Sequence, residues 1–266
     1  MQSSDFYPNP EADASFSPLE NAEITRIAIL ETGHPPEHLR DAIDDYPTRF
    51  RALLGENVPT VRFDVQSGHL PDDPSIYTGA IVTGSAAGVY DDLPWISPLI
   101  DWLRAARGQT RLLGICFGHQ VIAHAFGGKV EKSHKGWGVG LHRYDVVSHE
   151  PWMHPRAPSI AIPVSHQDQV VAVAPDTRVI ASSPFTPYAG LAWGEDAVSF
   201  QCHPEFQPAY AAALIEGRRG DRIPHDLADE ALLSLEGAND RAVLTAWIRA
   251  YLLLTPPPVE ADGSGI

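Results

Sequence analysis

Residues 111–128 read RLLGICFGHQVIAHAFGG. Arg111 to Ile115 is a short apolar run of strand length. From Phe117 to Phe126 the pattern predicts a helix, stopped by Gly127-Gly128. Cys116 falls between the two, with Gly114 and Gly118 on either side. A thiol on a strand-to-helix turn flanked by glycines fits a tight elbow, where backbones come too close for side chains. Such an elbow presents the sulfur at the carboxyl end of the sheet, where open α/β sheets bind ligands. The helix behind it points about half a positive charge and free N–H groups at the sulfur, which favours thiolate. Phe117 N–H is the first candidate to hold an oxyanion. The competing reading is an ordinary buried cysteine, as most cysteines are.

Working outward, strands and helices alternate before the elbow. Arg26–Leu30, Thr60–Val65 and Gly79–Thr83 read as strands. Residues 37–54 carry apolar groups at helical spacing, with Pro47 as a potential break, and 95–107 read as helix. This order implies a parallel sheet with helices on both faces. From 128 to 203 the pattern changes to strands and turns, with candidate strands at 138–148, 158–164, 178–183, 188–193 and 197–202. Helices are predicted near 207–219 and across 226–254, interrupted around Gly237. The fold class is therefore α/β: a mostly parallel open sheet with helices on both faces and an antiparallel strand extension. Residues 1–23 and 255–266 are expected as flexible tails by composition, around one domain at 24–254.

The chain has 266 residues, 44% of them hydrophobic, and a formal net charge of −15. An acidic surface repels nucleic-acid phosphates and anionic lipid, so neither is an expected partner. Two cysteines, Cys116 and Cys202, are too few for a disulfide framework, although counting leaves one bridge open. The twelve histidines form no H-E-x-x-H pattern and no metal-type cysteine pair exists, so no metal is expected. The N-terminus lacks a signal-peptide layout and there is no apolar run long enough for a span, which makes the cytoplasm the expected compartment.

A second motif lies far downstream, Phe200-Gln-Cys-His-Pro-Glu-Phe206. Pro204 biases His203 toward extended backbone. In an extended segment His203 and Glu205 share a face. A carboxylate beside an imidazole fixes its tautomer and stabilises the imidazolium. Taken singly, a His before Pro is usually structural and a Glu is usually solvated. Cys202 is expected to point the other way and pack in the core.

GICFGHQ and CHPE, in that order, resemble the class I glutamine amidotransferases, the Cys-His-Glu triad type. The likeness is nearest to the stand-alone GMP-synthetase-like members and the γ-glutamyl peptidases, and spans roughly residues 26–219. It implies a flavodoxin-like fold in which Cys116 is the nucleophile, His203 the base and Glu205 the group that orients the base. It also implies an oxyanion hole from the backbone N–H groups of Gly84 and Phe117. Gln120 would touch the amino-acid end of the substrate. The loop Ser165-His-Gln-Asp-Gln-Val170, with His166 and Asp168, would help hold that end; Gln167 stands where many relatives have Gly. Trp137 of Lys135-Gly-Trp-Gly-Val139 would pack near the site.

The implied reaction is hydrolysis of the glutamine side-chain amide through a γ-glutamyl thioester, with no cofactor. The chain contains no G-x-x-x-x-G-K-[ST] and no S-G-G-x-D-S loop. Ammonia would then pass to a separate synthase subunit. The alternatives are a stand-alone γ-glutamyl peptidase, a Cys-type α/β-hydrolase, and a non-catalytic subunit of the same fold. An α/β-hydrolase expects its acid before the histidine, whereas Glu205 follows His203.

Overall fold

The computed structural model describes residues 26–40 and 43–252. Both expected tails lie outside the described residues. In chain order the elements are β1 (Ile27–Glu31), α1 (Tyr46–Leu54), β2 (Thr60–Asp64), β3 (Gly79–Val82), α2 (Ile96–Ala106), β4 (Arg111–Ile115), α3 (Phe117–Ala125), β5 (Lys129–Lys132), β6 (Gly138–Val146), β7 (Ser159–His166), β8 (Asp168–Ala172), β9 (Arg178–Ser182), β10 (Gly190–Trp193), β11 (Ala197–Phe200), α4 (Pro208–Glu216), α5 (His225–Ser234) and α6 (Arg241–Tyr251).

Nine strands form one sheet in the order β2-β1-β3-β4-β11-β10-β9-β6-β7. The pairs from β2 through β11 are parallel, and those from β11 through β7 are antiparallel. The expected antiparallel extension is thus continuous with the parallel part. The β2-β1-β3-β4-β11 portion has the flavodoxin-like order. β5 and β8 make a separate two-stranded sheet.

β1, with sequence IAILE, is buried along its whole length. A central parallel strand is covered on both faces and so reads as continuously apolar. On one face Ile27, Ile29, Ile81 and Leu113 pack with Phe50 and Leu54 of α1 and Leu244, Trp247 and Ile248 of α6. On the other, Ala28, Leu30 and Val82 pack with Leu99 and Leu103 of α2 and Val121 and Ile122 of α3. A third cluster joins α4 and α5 to Val139 of β6 and to Phe206.

The stretch at 37–54 differs from the single helix expected. A short 3-10 turn covers Glu37–Leu39, and α1 starts afresh at Tyr46. Pro47 does not break α1; it sits in its first turn, where its missing N–H costs nothing. The Asp45 carboxylate caps that turn by accepting from Thr48 N–H at 2.8 Å.

Register brings the site together. Val82 of β3 pairs with Gly114 of β4, and Ile115 of β4 pairs with Phe200 of β11. The chain segments leaving β3, β4 and β11 therefore meet at one edge. Those segments begin with Thr83, Cys116 and Gln201.

Candidate active site

Cys116 turns the chain from β4 into α3 with φ 55° and ψ −104°. Among the described residues it is the one non-glycine with positive φ. Such backbone is costly for a residue with a Cβ and persists only where the surroundings enforce it. Here they do. Cys116 N–H donates to Phe200 O at 2.9 Å, and Gly118 N–H donates to Thr83 O at 3.2 Å. A Cβ on Gly114 would strike the Gly118 carbonyl, and one on Gly118 would strike the Val82 carbonyl. The two glycines are thus demanded by the close approach of α3 to β3 and β4.

The loop after β3 is clamped from β1. Thr32 Oγ1 donates to Thr83 O at 2.9 Å, and Thr32 N–H donates to Thr83 Oγ1 at 3.0 Å. This puts Gly84 against the thiol and the imidazole: a Cβ there would lie 3.2 Å from His203 Cε1 and 3.7 Å from Cys116 Cβ. Among the described residues neither Gly84 N–H nor Phe117 N–H has a hydrogen-bond partner. Both are backbone donors left free beside the sulfur.

His203 and Glu205 are both buried, and His203 Nδ1 lies 2.7 Å from Glu205 Oε1. They meet through a turn. β11 ends at Phe200, and Phe206 N–H donates to His203 O at 3.2 Å. The shared face of an extended segment, predicted from Pro204, is replaced by this turn, because the chain must leave the sheet to reach α4. His203 N–H is fixed by Pro163 O of β7 at 2.9 Å. The Phe206 ring stacks on the imidazole with centroids 3.8 Å apart. Burial alone would push the His203 pKa down. The Cys116 thiol and the Glu205 carboxylate, both acting on the imidazole, outweigh that and raise it.

Cys202 lies beside His203 in sequence but is 1% exposed in the core. Burial pushes its thiol pKa far up, with the nearby Glu205 carboxylate adding to it. Both cysteines are free thiols, so the bridge that counting left open is absent.

Two adjoining cavities flank Cys116. The larger, about 670 Å³, is lined by Gln120, His166, Asp168, Trp137 and Tyr90 among others. Gln120 is buried rather than solvent-facing. Its Nε2 donates to Asp168 O at 2.9 Å and to Gln201 Oε1 at 3.1 Å, tying α3 to β8 and to the end of β11. The Asp168 carboxylate accepts from Tyr90 OH at 2.7 Å. His166 is buried, with Nδ1 3.2 Å from Asp168 O, and burial pushes its pKa down to about 3. It is therefore a neutral wall, not a cation. The second cavity, about 340 Å³, contains His203, Gly84, Tyr46, Arg218 and Arg222.

Arg218 and Tyr90 carry no local signal in the sequence, and Tyr46 reads there only as an apolar position of a helix. Arg218 sits between the cavities, donates to Ser165 Oγ at 2.6 Å and lies over the Trp137 ring. Tyr46 accepts from Tyr210 OH at 3.3 Å. Among the described residues no group of His, Cys, Asp and Glu is arranged to hold a metal ion. No helix of the described residues is long and apolar enough to cross a membrane.

The glutamine amidotransferase class-I family model matches residues 50–216, more than half of the chain. The chain belongs to that family. The matched span runs from α1 to the end of α4 and takes in the elbow and the His203–Glu205 turn. Over 245 residues the chain is 27% identical to a glutamine amidotransferase-like protein of Schizosaccharomyces pombe, covering 85% of this chain and 98% of that one. Gamma-glutamyl peptidase 5 of Arabidopsis thaliana is 29% identical over 226 residues, covering 81% of this chain and 90% of the relative. A glutamine amidotransferase of Thermotoga maritima superposes with a TM-score of 0.65 at 18% identity, over 86% of this chain and 98% of that chain. At that identity the structural likeness carries the fold.

Proposed function

We propose that this member of the class I glutamine amidotransferases hydrolyses a γ-glutamyl side-chain amide, that of glutamine in the simplest case. In this reading Cys116 is the nucleophile, His203 the general base and acid, and Glu205 the group that orients His203. The observation that carries it is the buried His203–Glu205 contact of 2.7 Å set beside a thiol on a strained elbow. Nucleophile, base and orienting acid in that order of contact are the working parts of thiol acyl transfer.

His203 takes the Cys116 proton and the thiolate adds to the γ-carbonyl carbon. The oxygen becomes an oxyanion, held by the Gly84 and Phe117 N–H groups; one such donor is typically worth about 10²–10³ in rate. The imidazolium protonates the leaving nitrogen, which departs as ammonia or an amine. A γ-glutamyl thioester remains on Cys116. Water, deprotonated by His203, adds to it, and collapse returns the proton to sulfur and releases glutamate. Gln120 and the His166–Asp168 loop hold the amino-acid end in the larger cavity. The activity resides in the unit 24–254, and ammonia, where it is the product, goes to a separate synthase.

The test is glutamate release from glutamine and from a γ-glutamyl dipeptide by purified protein. Wild type releases glutamate from at least one. Cys116→Ala reduces that release by about 10³-fold or more. Equal turnover by Cys116→Ala contradicts the reading.

A further inference from the structure

α6 begins at Asp240-Arg241, beyond the span that the family model matches. Neither side chain serves the helix it starts. An aspartate at this position usually caps the first turn, yet Asp240 makes no such bond. Its carboxylate instead accepts from Ala161 N–H of β7 at 2.8 Å, and its own N–H donates to Ala161 O at 2.8 Å. Arg241 places a cation at the positive end of the helix, where its charge is unfavourable. Its Nε donates at 2.9 Å to Pro204 O, the carbonyl between His203 and Glu205. Burial works against the guanidinium charge, and the Glu205 carboxylate acts to hold it.

The His203–Glu205 turn is therefore held from three directions. His203 N–H donates to Pro163 O of β7, Phe206 N–H closes the turn on His203 O, and Arg241 takes the Pro204 carbonyl. Asp240 locks α6 to the strand that receives His203 N–H, two residues from Pro163. This matters most for Glu205. One of its oxygens meets His203 Nδ1 at 2.7 Å. The other, Oε2, is buried with no hydrogen-bond partner among the described residues. No second bond there fixes the carboxylate, so its aim at the imidazole depends on the backbone that carries it.

Resting on the hydrolase reading above, we propose that Arg241 is a positioning residue of the triad. From α6 it holds the Pro204 carbonyl, and through that carbonyl it keeps the Glu205 carboxylate on His203 Nδ1. Arg241 lines neither cavity beside Cys116. It acts through Glu205 and not on the substrate.

The experiment places Arg241→Gln in wild type and in Glu205→Gln, with folding checked by circular dichroism, and measures kcat and KM for glutamate release. In wild type the expected loss is about tenfold or more in kcat, with KM within about threefold. In Glu205→Gln the same substitution costs less than about twofold, because a residue that works through Glu205 has nothing left to position. Arg241→Lys, which can still donate to Pro204 O, recovers part of the rate. Equal losses in both backgrounds, or a change confined to KM, overturn the inference. Where Arg241→Gln fails to fold, Arg241→Met keeps the aliphatic stem and carries the same comparison. A second readout needs no substrate. A short, charge-assisted His203 Nδ1–Glu205 bond gives a proton signal far downfield by NMR, assigned by its loss in Glu205→Gln. Arg241→Gln moves that signal upfield or broadens it. A signal absent from wild type, or unchanged in Arg241→Gln, overturns the inference. Failure to cleave any γ-glutamyl compound overturns the hydrolase reading, and the proton signal then decides the inference by itself.

Discussion

The Phe206 ring lies face to face with the His203 imidazole, centroids 3.8 Å apart and planes 9° from parallel. Tyr210 packs edge-on against the far side of Phe206, at 4.6 Å and 87°. The stack sets the plane of the imidazole. The Glu205 carboxylate, 2.7 Å from Nδ1, sets its rotation within that plane. Phe206→Leu keeps an apolar filler but removes the stack, which is worth about 0.5–1.5 kcal/mol. Its expected effect is a drop in kcat of up to about tenfold with KM little changed. Phe206→Tyr keeps most of the rate. Steady-state kinetics on the preferred γ-glutamyl substrate checks this, and a change confined to KM goes against it.

Coupling of His203 to its neighbours has a pH signature. Burial opposes its charge, but Cys116 and Glu205 outweigh burial and raise its pKa above the unfolded value of about 6.5. A raised folded pKa stabilises the fold in full below the unfolded pKa, and that contribution is lost as pH rises through the folded one. Glu205→Gln removes one of the two raising groups. The stability lead of wild type over Glu205→Gln is therefore larger at about pH 6 than at about pH 10. Urea unfolding at both pH values measures it, and a lead that grows with pH contradicts the coupling.

The elbow predicts an inverted glycine effect. Glycine in place of alanine usually costs stability, by about 0.5–1 kcal/mol. At Cys116, with φ 55°, strain of about 1–3 kcal/mol is relieved only by glycine. Cys116→Gly should melt higher than Cys116→Ala. Two residues on, Gly118→Ala drives a Cβ into the Val82 carbonyl and costs about 1–3 kcal/mol. Thermal unfolding of the three variants tests both statements.

The central layer was legible because its signals are local. Arg111–Ile115 is continuously apolar because both faces of a central strand are covered, and Gly114 and Gly118 mark the close approach around Cys116. β5 and β8 give little strand signal in the sequence. Lys129–Lys132 has one buried residue in four, so its alternation is too short and too polar to stand out. Asp168-Gln-Val170, the start of β8, reads as the end of the Ser165–Val170 loop rather than as a strand. Pro204 predicts extended backbone that would put His203 and Glu205 on one face, whereas a turn, closed by Phe206 N–H donating to His203 O, brings them together. Arg218 had no local signal. Its contacts with Ser165 and Trp137 lie 53 and 81 positions away and exist only once α4 has docked on the extension.

Cys202 separates core chemistry from site chemistry. It is buried, and its thiol is pushed far above the usual range, first by burial. Cys202→Ala should keep turnover within about threefold of wild type while losing stability by the cost of a small core deletion, on the order of 1 kcal/mol. A loss of activity as deep as that of Cys116→Ala, in a protein that remains folded, contradicts this assignment.

The most direct measurement is the site of covalent capture by a diazoketone analogue of glutamine, read by mass spectrometry of the intact and digested protein. The account predicts one adduct per chain, on Cys116, with glutamate release lost in step and no adduct on Cys116→Ala. An adduct on Cys202, or none at all while γ-glutamyl hydrolysis continues, contradicts it.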